Sequence, residues 1–456
     1  MANRSTRTLP HTEQQYKGIS EISVRGFKSL ARESRIEVRP LTILAGANSS
    51  GKSSIMQPLL LMKQTLEASY DSGPLLMNGP NAKFTSADQF ISRSQSNSRD
   101  FSVEIVTSDD ITNKIEFSVT EAKGLEIRAM MVDVILDDVG KRSIHLTPSL
   151  APKAVESALL RFLPEMMNEL IKPGIPLVVS RHRCFLTVRP ARVGRQDRLY
   201  VLPSLFTFTS GELLRMIHVP GLRGNPERIY DRTAPGPVFP GTFERYVATI
   251  IADWQSLGDD RVGRIEAMLG NLGLTTKVVA DAISDTQIEL QVGRIPGVTT
   301  ALPNGDHVNI ADVGFGVSQV LPVLVSLLVA EEGQLVYIEQ PELHLHPRAQ
   351  YELAIVIAEA ARRGVKLVLE THSALLLLHV RTLMATGQLD RDLVKLHWFS
   401  RNPEDGMTSI QTADLDELGS FGDWPEDFGD VELFAEGAYL DAVAQRSRGN
   451  GKAVRS

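Results

Sequence analysis

Apolar residues along this chain follow two rhythms. Near the amino end, two short strand-like runs lead to Leu41-Thr42-Ile43-Leu44-Ala45, an apolar run of a length that suits a buried strand. A glycine-rich turn follows, then apolar positions at helical spacing over about 52–68. Pro58 falls inside that helix, where it should kink it or disturb its first turns. Between Phe101 and Leu136 the period changes to two, as in Phe101-Ser102-Val103-Glu104-Ile105, which predicts antiparallel strands with one wet face. An amphipathic helix is expected over about 155–170, followed by an arginine-rich segment. Pro and Gly concentrate between Pro220 and Gly241, a pattern that predicts a long loop.

From Phe243 the helical rhythm returns, with strands expected near Lys277 and Ile288. An apolar helix over 317–330, a buried strand over 334–339, a helix over 348–362, a strand over 365–370 and a helix from Ala374 complete a β-α-β-α series. Such alternation implies a mostly parallel sheet with helices on its faces. The first strand of that sheet lies near Ile43 and its later strands lie beyond Gln334, so the middle of the chain reads as an insertion. The expected units are 1–95 and 241–400 as two parts of one domain, 96–240 as the insertion and 401–456 as a carboxy-terminal extension. No internal repeat, low-complexity tract or long heptad run is present, which argues against a rod-like coiled-coil arm.

Composition narrows the class only a little. The 456 residues are 43% hydrophobic and 23% charged, as in ordinary soluble globular chains. No apolar stretch approaches the roughly 20 residues of a membrane helix, and residues 1–16 lack the apolar core of a signal peptide. A cytoplasmic protein with no membrane partner is expected. The single cysteine, Cys184, excludes an internal disulfide framework and a cysteine-based zinc site. A net charge of −7 gives no global sign of nucleic-acid binding, and nucleic acid stays open as a partner. Arg181, His182, Arg183, Arg189, Arg192, Arg195 and Arg198 nevertheless crowd one segment, with Arg215, Arg223, Arg228 and Arg232 soon after. They suit either a solvated face with local ion pairs or a phosphate-binding patch.

Four short motifs carry the chemistry. Gly46-Ala47-Asn48-Ser49-Ser50-Gly51-Lys52-Ser53 matches G-x-x-x-x-G-K-[ST] between an expected strand and an expected helix. Its glycines let backbone N–H groups wrap phosphates, and the helix N-terminus adds a favourable dipole. Gly46, Asn48, Ser49, Ser50, Gly51, Lys52, Ser53 and Ser54 are therefore the expected ATP contacts. Lys52 should reach the β- and γ-phosphates, and the Ser53 hydroxyl should sit on Mg²⁺. Leu335-Val336-Tyr337-Ile338-Glu339 is an apolar strand ending in an acid, as a carboxylate beside Mg²⁺ requires, which assigns Glu339 to the metal. At the end of the next strand, Glu370-Thr371-His372-Ser373 makes His372 a candidate for polarising the γ-phosphate or water. Asp312-Val313-Gly314-Phe315-Gly316-Val317-Ser318-Gln319 is a glycine-rich turn opening an apolar helix, with Gly316, Ser318 and Gln319 as candidate nucleotide contacts.

In this order the four motifs resemble those of the ABC-type ATPases of the RecF, OLD and SMC group, over roughly the first 90 residues and 300–400. Ile22-Ser23-Val24-Arg25-Gly26-Phe27-Lys28-Ser29-Leu30 resembles that group's opening strand. Glu339-Gln340-Pro341-Glu342-Leu343-His344-Leu345-His346-Pro347, the tail segment Gly422-Asp423-Trp424-Pro425-Glu426-Asp427-Phe428, and the loop from His218 to Arg223 through Pro226, Arg228 and Tyr230 are similar to a bacterial AAA-labelled ATPase subfamily with an uncharacterised carboxy-terminal extension. The resemblance implies an α/β fold: an ABC-type P-loop NTPase with a mostly parallel sheet, an antiparallel β subdomain and a helical/β insertion. It also implies an ATP- and Mg²⁺-dependent ATPase that sandwiches nucleotide in a homodimer or higher oligomer. A separate effector, a nuclease or toxin, would act with it in anti-phage defence or repair.

Two departures from that pattern matter. The slot of the usual catalytic Glu after the strand acid holds Gln340, an amide that orients water but takes no proton. Hydrolysis is then slow, or Glu342 or His372 assists, or the ATP-bound state persists as a scaffold that holds an effector inactive. The signature reads Gly316-Val317-Ser318-Gln319 in place of Ser-Gly-Gly-Gln. Glu342, His344 and His346 lack the i,i+4 spacing of a metal helix and read as a loop–helix junction. Leu433 to Asp441 faintly resembles the start of a TOPRIM nuclease domain, but too few residues follow for a domain, so a terminal helix is expected. Gln89 is a candidate for the glutamine that follows the P-loop helix in such ATPases.

Overall fold

Strand β1 (Ile19–Arg25) and β2 (Ser34–Glu37) precede the wholly buried β3 (Leu41–Gly46). The computed structural model describes residues 17–93, 99–121, 124–136, 140–162, 176–191, 207–234, 236–294, 306–416 and 419. The period-two segment forms β4 (Asp100–Thr107), β5 (Ile111–Thr120), β6 (Gly124–Leu136) and β7 (Gly140–Leu146). With β1 and β2 they make one antiparallel sheet in the order β2-β1-β4-β5-β6-β7. In β5 the residues buried are Ile111, Asn113, Ile115 and Phe117, the alternation that one wet face produces. A hairpin of β8 (Leu177–His182) and β9 (Phe185–Pro190) follows the helix Pro152–Phe162.

The second sheet carries the site. It contains β3, β10 (Ile217–Val219), β15 (Leu335–Glu339), β16 (Lys366–Glu370), β17 (Val394–Arg401) and β18 (Thr408–Ala413), in the order β10-β15-β16-β3-β17-β18. All pairs are parallel except β17 with β18. A smaller sheet of β11 (Tyr230–Asp231), β12 (Val278–Ser284), β13 (Gln287–Gly293) and β14 (His307–Asn309) flanks it.

Burial on both faces explains the apolar runs. Leu44, Leu335, Tyr337, Val368 and Phe399 pack with the helix Lys52–Glu67 and the antiparallel sheet. Leu41, Ile43, Val336, Ile338, Leu367 and Leu369 pack on the other face. That layer contains the helices Val247–Leu257, Arg261–Asn271, Phe315–Val329, Pro347–Arg362 and Ala374–Ala385. The chain is thus a mixed α/β protein with the expected mostly parallel sheet and antiparallel subdomain.

Several local expectations change. The helix Lys52–Glu67 continues through Pro58 without a break. The helix expected over 155–170 runs Pro152–Phe162 in the described residues, and 163–170 lie outside them. The Pro- and Gly-rich loop starts directly after β10, which the sequence did not suggest, and contains the two-residue β11. Strand β18 extends the parallel sheet past residue 400.

His397 joins the two large sheets. Its Nε2 lies 3.0 Å from the Glu37 carbonyl and its Nδ1 3.0 Å from Thr412 Oγ1. Burial pushes its pKa down to about 4, against the raising effect of the Glu37 carbonyl. The folded state therefore favours neutral His397, whereas the unfolded chain takes a proton near pH 6.5. The stability this group contributes is present above that value and lost as pH falls through 6.5 towards 4, about 3 kcal/mol in all. Urea unfolding of His397→Gln should give a lower stability than the parent at neutral pH, with the gap closing as pH approaches 4. Parallel acid limbs for the two proteins would contradict this.

Candidate nucleotide-binding site

Strand β3 ends at Gly46, and the chain turns through Gly51 into the helix Lys52–Glu67. Gly46 and Gly51 have φ of 142° and 100°, and Ser49 is left-handed at 62°. A Cβ on Gly46 would lie 2.2 Å from the Phe399 carbonyl, and one on Gly51 2.5 Å from Thr408 Oγ1. Close approach and backbone conformation both demand glycine there. The β17–β18 hairpin holds the turn: Thr408 Oγ1 donates to the Ser50 carbonyl (2.6 Å), and the Thr408 N–H donates to the Ser29 carbonyl (2.8 Å). Lys52 is 3% exposed and donates to the carbonyls of Gly46 (3.0 Å) and Ala47 (2.8 Å). Burial lowers its pKa, while the charges of Glu370 and Glu342 pull the other way.

Beside this turn lies a cavity of about 490 Å³, lined by residues 49–54 with Lys28, Gln57, Gln89, Glu370 and Arg401 among others. Lys28 reaches it from a segment braced by an aromatic cluster. Phe27 stacks on Phe90 at 5.4 Å, Phe101 on Phe117 at 4.8 Å, and the Lys28 ammonium lies 4.8 Å from the Phe84 ring centre. Gln89 lines the cavity with its amide bonded to Thr85.

The in-register pairing of β15 with β16 sets Glu339 directly beside Glu370. Ser53 Oγ donates to Glu370 Oε1 (3.0 Å), and the Tyr337 hydroxyl donates to Glu370 Oε2 (3.0 Å). Glu339 is engaged elsewhere: Oε1 lies 3.2 Å from His218 Nε2, and Oε2 accepts from the Gly221 N–H (3.2 Å). His218 also meets Asn81 Oδ1 at 3.0 Å and stacks on Tyr337 at 5.5 Å. Burial would raise the Glu339 carboxyl, but His218, Gly221 and Tyr337 outweigh it and hold it below its usual value. Burial raises Glu370, with the Glu339 charge adding and Ser53 opposing.

The loop after β15 is bent and tied down. Gln340 has φ 46°, a left-handed value for a side chain, and its N–H donates to the Glu370 carbonyl (2.7 Å). Buried Arg223 donates to the carbonyls of Gln319 (3.0 Å), Glu339 (2.8 Å) and Gln340 (2.9 Å). Glu342 Oε1 accepts from Thr371 Oγ1 (2.7 Å) and the His372 N–H (2.9 Å), so this acid shapes the His372 loop. Burial, and then the Lys52 charge, lower the His372 pKa, while a hydrogen bond to the Gly46 backbone opposes them. His344 packs against Phe315, and His346 caps the helix Pro347–Arg362. Among the described residues no cluster of three His, Cys, Asp or Glu could hold a metal.

The signature residues do not line the cavity beside the phosphate turn of the same chain. Gly316 and Ser318 open the helix Phe315–Val329, and the exposed Ser318 hydroxyl donates to the Phe315 carbonyl (3.0 Å). Gln319 is buried and donates to the Gly224 carbonyl (2.9 Å). The arginines that follow residue 180 form local contacts: Arg181 with Asp71, Arg183 with the Tyr70 carbonyl, Arg215 with Glu331, Arg228 with Asp312 and Arg232 with Asp253. Arg192, Arg195, Arg198 and both tail segments, 422–428 and 433–441, lie outside the described residues.

Sequence reasoning missed Glu370, Tyr337, His218 and Arg223 as parts of this site. One signal was present for Glu370: like Glu339, it is the acid that ends an apolar strand. His218 and Arg223 were noticed only as part of a loop.

Two family models match the chain. One, described as "AAA ATPase domain", covers residues 18–157; the other, described as "AAA domain, putative AbiEii toxin, Type IV TA system", covers 244–378. The first contains the phosphate turn, the second the glycine-rich signature, Glu339 and His372. Both are models of AAA domains. No curated protein matches the chain. Among solved structures it is similar to an SMC head domain from Thermotoga maritima, at 9% identity and TM-score 0.34 over 87% of this chain and 100% of that one. It is also similar to an Smc head domain with an extended coiled coil bound to the C-terminal domain of ScpA, derived from Pyrococcus furiosus. That likeness has 12% identity and TM-score 0.43 over 87% of this chain and 96% of that one. No helix of the described residues is long and apolar enough to cross a membrane.

Arg223 gives this region a stability test. Arg223→Met keeps most of the bulk but removes the charged donor shared by three carbonyls, of which that of Gln340 keeps the Leu343 N–H, at a cost of about 2–4 kcal/mol. Urea unfolding measures it. A loss under about 1 kcal/mol would mean that the loop is held by other contacts.

Proposed function

We propose that this protein is an ABC-type ATPase, a molecular switch that binds ATP with Mg²⁺, hydrolyses it, and acts as a homodimer or higher oligomer through a separate effector. One observation carries the reading: a glycine-rich turn, a buried lysine and a helix N-terminus converge on one cavity, inside a segment that matches an ATPase family model. In this reading Lys52 leaves the Gly46 and Ala47 carbonyls for the β- and γ-phosphates, and backbone N–H groups of 48–54 take the remaining phosphate oxygens. The oxygen ligands offered by Ser53 and one strand-end carboxylate suit a hard cation such as Mg²⁺. Bound Mg²⁺ supplies charge neutralisation of the phosphates. His372, hydrogen-bonded to the Gly46 backbone at the end of β3, is the γ-phosphate-sensing group in this reading.

The position of the signature supports the dimer. Gly316 and Ser318 do not line the phosphate cavity of their own chain, so in this reading they complete a site on a second copy. The effector is a nuclease or toxin in anti-phage defence or repair, with nucleic acid a further partner. Resemblance to the RecF and OLD group supports this, as does the toxin–antitoxin wording of the second family model. Gln340 favours a second reading, a slowly hydrolysing ATP-bound scaffold that holds its effector inactive. An amide in a strained turn can orient water and cannot take its proton.

Lys52→Ala removes a charge-assisted contact to phosphate worth roughly 1.5–3 kcal/mol, so ATP affinity should fall about tenfold or more. Calorimetric titration with ATP reads it, and an unchanged affinity would refute the assignment of the phosphate turn. Gln340→Glu supplies a proton acceptor and should raise steady-state turnover several-fold under the ATPase reading. No increase would point away from base catalysis at this position.

A further inference from the structure

We infer that Glu370, rather than Glu339, is the carboxylate that joins Ser53 at the metal ion of the bound nucleotide, with Tyr337 as its positioning residue. The inference rests on the ATP-binding reading and adds to it a metal ligand that the sequence motif assigns elsewhere.

Three observations converge. The first is contact: Ser53 Oγ, the hydroxyl expected on the metal, donates to Glu370 Oε1 at 3.0 Å. Glu370, and not Glu339, is among the residues lining the phosphate cavity. The second is topology. Strand β16 lies between β15 and β3, so Glu370 pairs with Leu44 of the phosphate-turn strand on one side and with Glu339 on the other. At roughly 4.8 Å per strand, Glu370 is one strand from β3 and Glu339 is two. The third is occupancy. The oxygens of Glu339 meet His218 and the Gly221 N–H, in a chain that runs on to Asn81 and fastens β10 to β15, whereas those of Glu370 meet Tyr337 and Ser53, the hydroxyl expected on the metal. Tyr337 fixes Glu370 from behind: its buried hydroxyl holds Oε2 and leaves Oε1 turned to Ser53.

The chemistry agrees. Mg²⁺ takes one or two carboxylates, a hydroxyl and phosphate oxygens in preference to an all-protein cage. Glu370 is 7% exposed beside a second carboxylate, an arrangement whose repulsion a divalent cation relieves. Glu339 then acts through others: it anchors the His218–Gly221 segment against the loop that carries Gln340.

The test uses the full-length protein and a fluorescent ATP analogue, titrated in EDTA and in excess Mg²⁺, with bound Mn²⁺ counted by electron paramagnetic resonance. Binding in EDTA reports the phosphate turn alone, and the gain on adding metal reports the metal site. Glu370→Gln should not weaken the EDTA affinity, because it removes a negative charge beside the phosphates, and should cut the metal-dependent gain and Mn²⁺ binding at least tenfold. Glu339→Gln should keep that gain. Adding Glu370→Gln to Ser53→Ala should cost little more than Ser53→Ala alone, because the two groups serve one ion. Glu370→Asp, which keeps the charge but draws it back, gives an intermediate loss and covers the case in which Glu370→Gln does not fold. The proposal is overturned if Glu339→Gln loses the gain, with or without Glu370→Gln. It is equally overturned if Glu370→Gln or Glu370→Asp keeps the full gain. Absence of binding by the wild type in EDTA and in Mg²⁺ alike would remove the nucleotide reading itself.

Discussion

The site depends on the parallel register of β15, β16 and β3. These strands end level with one another, so the turn after β3 and the acids closing β15 and β16 emerge along one edge. Both faces of the sheet are buried, which fixes the register strongly. A slip of one residue would turn Leu335 and Tyr337 from the P-loop helix layer into the layer of Val336 and Ile338. Ligand sites at the carboxyl ends of parallel strands are the general outcome of this architecture.

Segments far apart in sequence then close around the turn. Thr408 reaches Ser50, Glu370 reaches Ser53 and Lys28 lines the same cavity, so residues before β3 and after β17 shape one pocket. On the opposite edge, β10 adds His218 and the loop after it adds Arg223, which clamp Glu339 and the carbonyls of the Gln340 turn. The strained Gln340 backbone is held from two sides, by Arg223 and by the Glu370 carbonyl. Movement of the loop carrying Gly221 and Arg223 would therefore be felt at once by Glu339 and by the signature residue Gln319.

Much of this was legible in the sequence where a local rule applied. The phosphate turn is written in glycine and lysine at fixed spacing, and the buried strands are written as short apolar runs flanking it. Period two in 101–136 announced the antiparallel sheet. Hidden features were those that depend on lateral order. Nothing local tells that β16 lies between β15 and β3, and that fact is what brings Glu370 to Ser53. Strand β10 has three residues, too few for any periodicity, and its partner lies more than a hundred residues away. Glu342, a candidate to assist chemistry, also holds the backbone of the His372 loop through one oxygen, a role that no local pattern announces.

The central claim is that ATP binds in the turn between β3 and the helix Lys52–Glu67. Hydrogen exchange of the backbone amides, followed with and without ATP and Mg²⁺, tests it most directly. The account predicts slowed exchange concentrated at residues 48–54, with a smaller effect at Thr408, whose hydroxyl braces that turn while its N–H holds the Ser29 carbonyl. Unchanged exchange at 48–54 under saturating ATP, with protection elsewhere or nowhere, would contradict it.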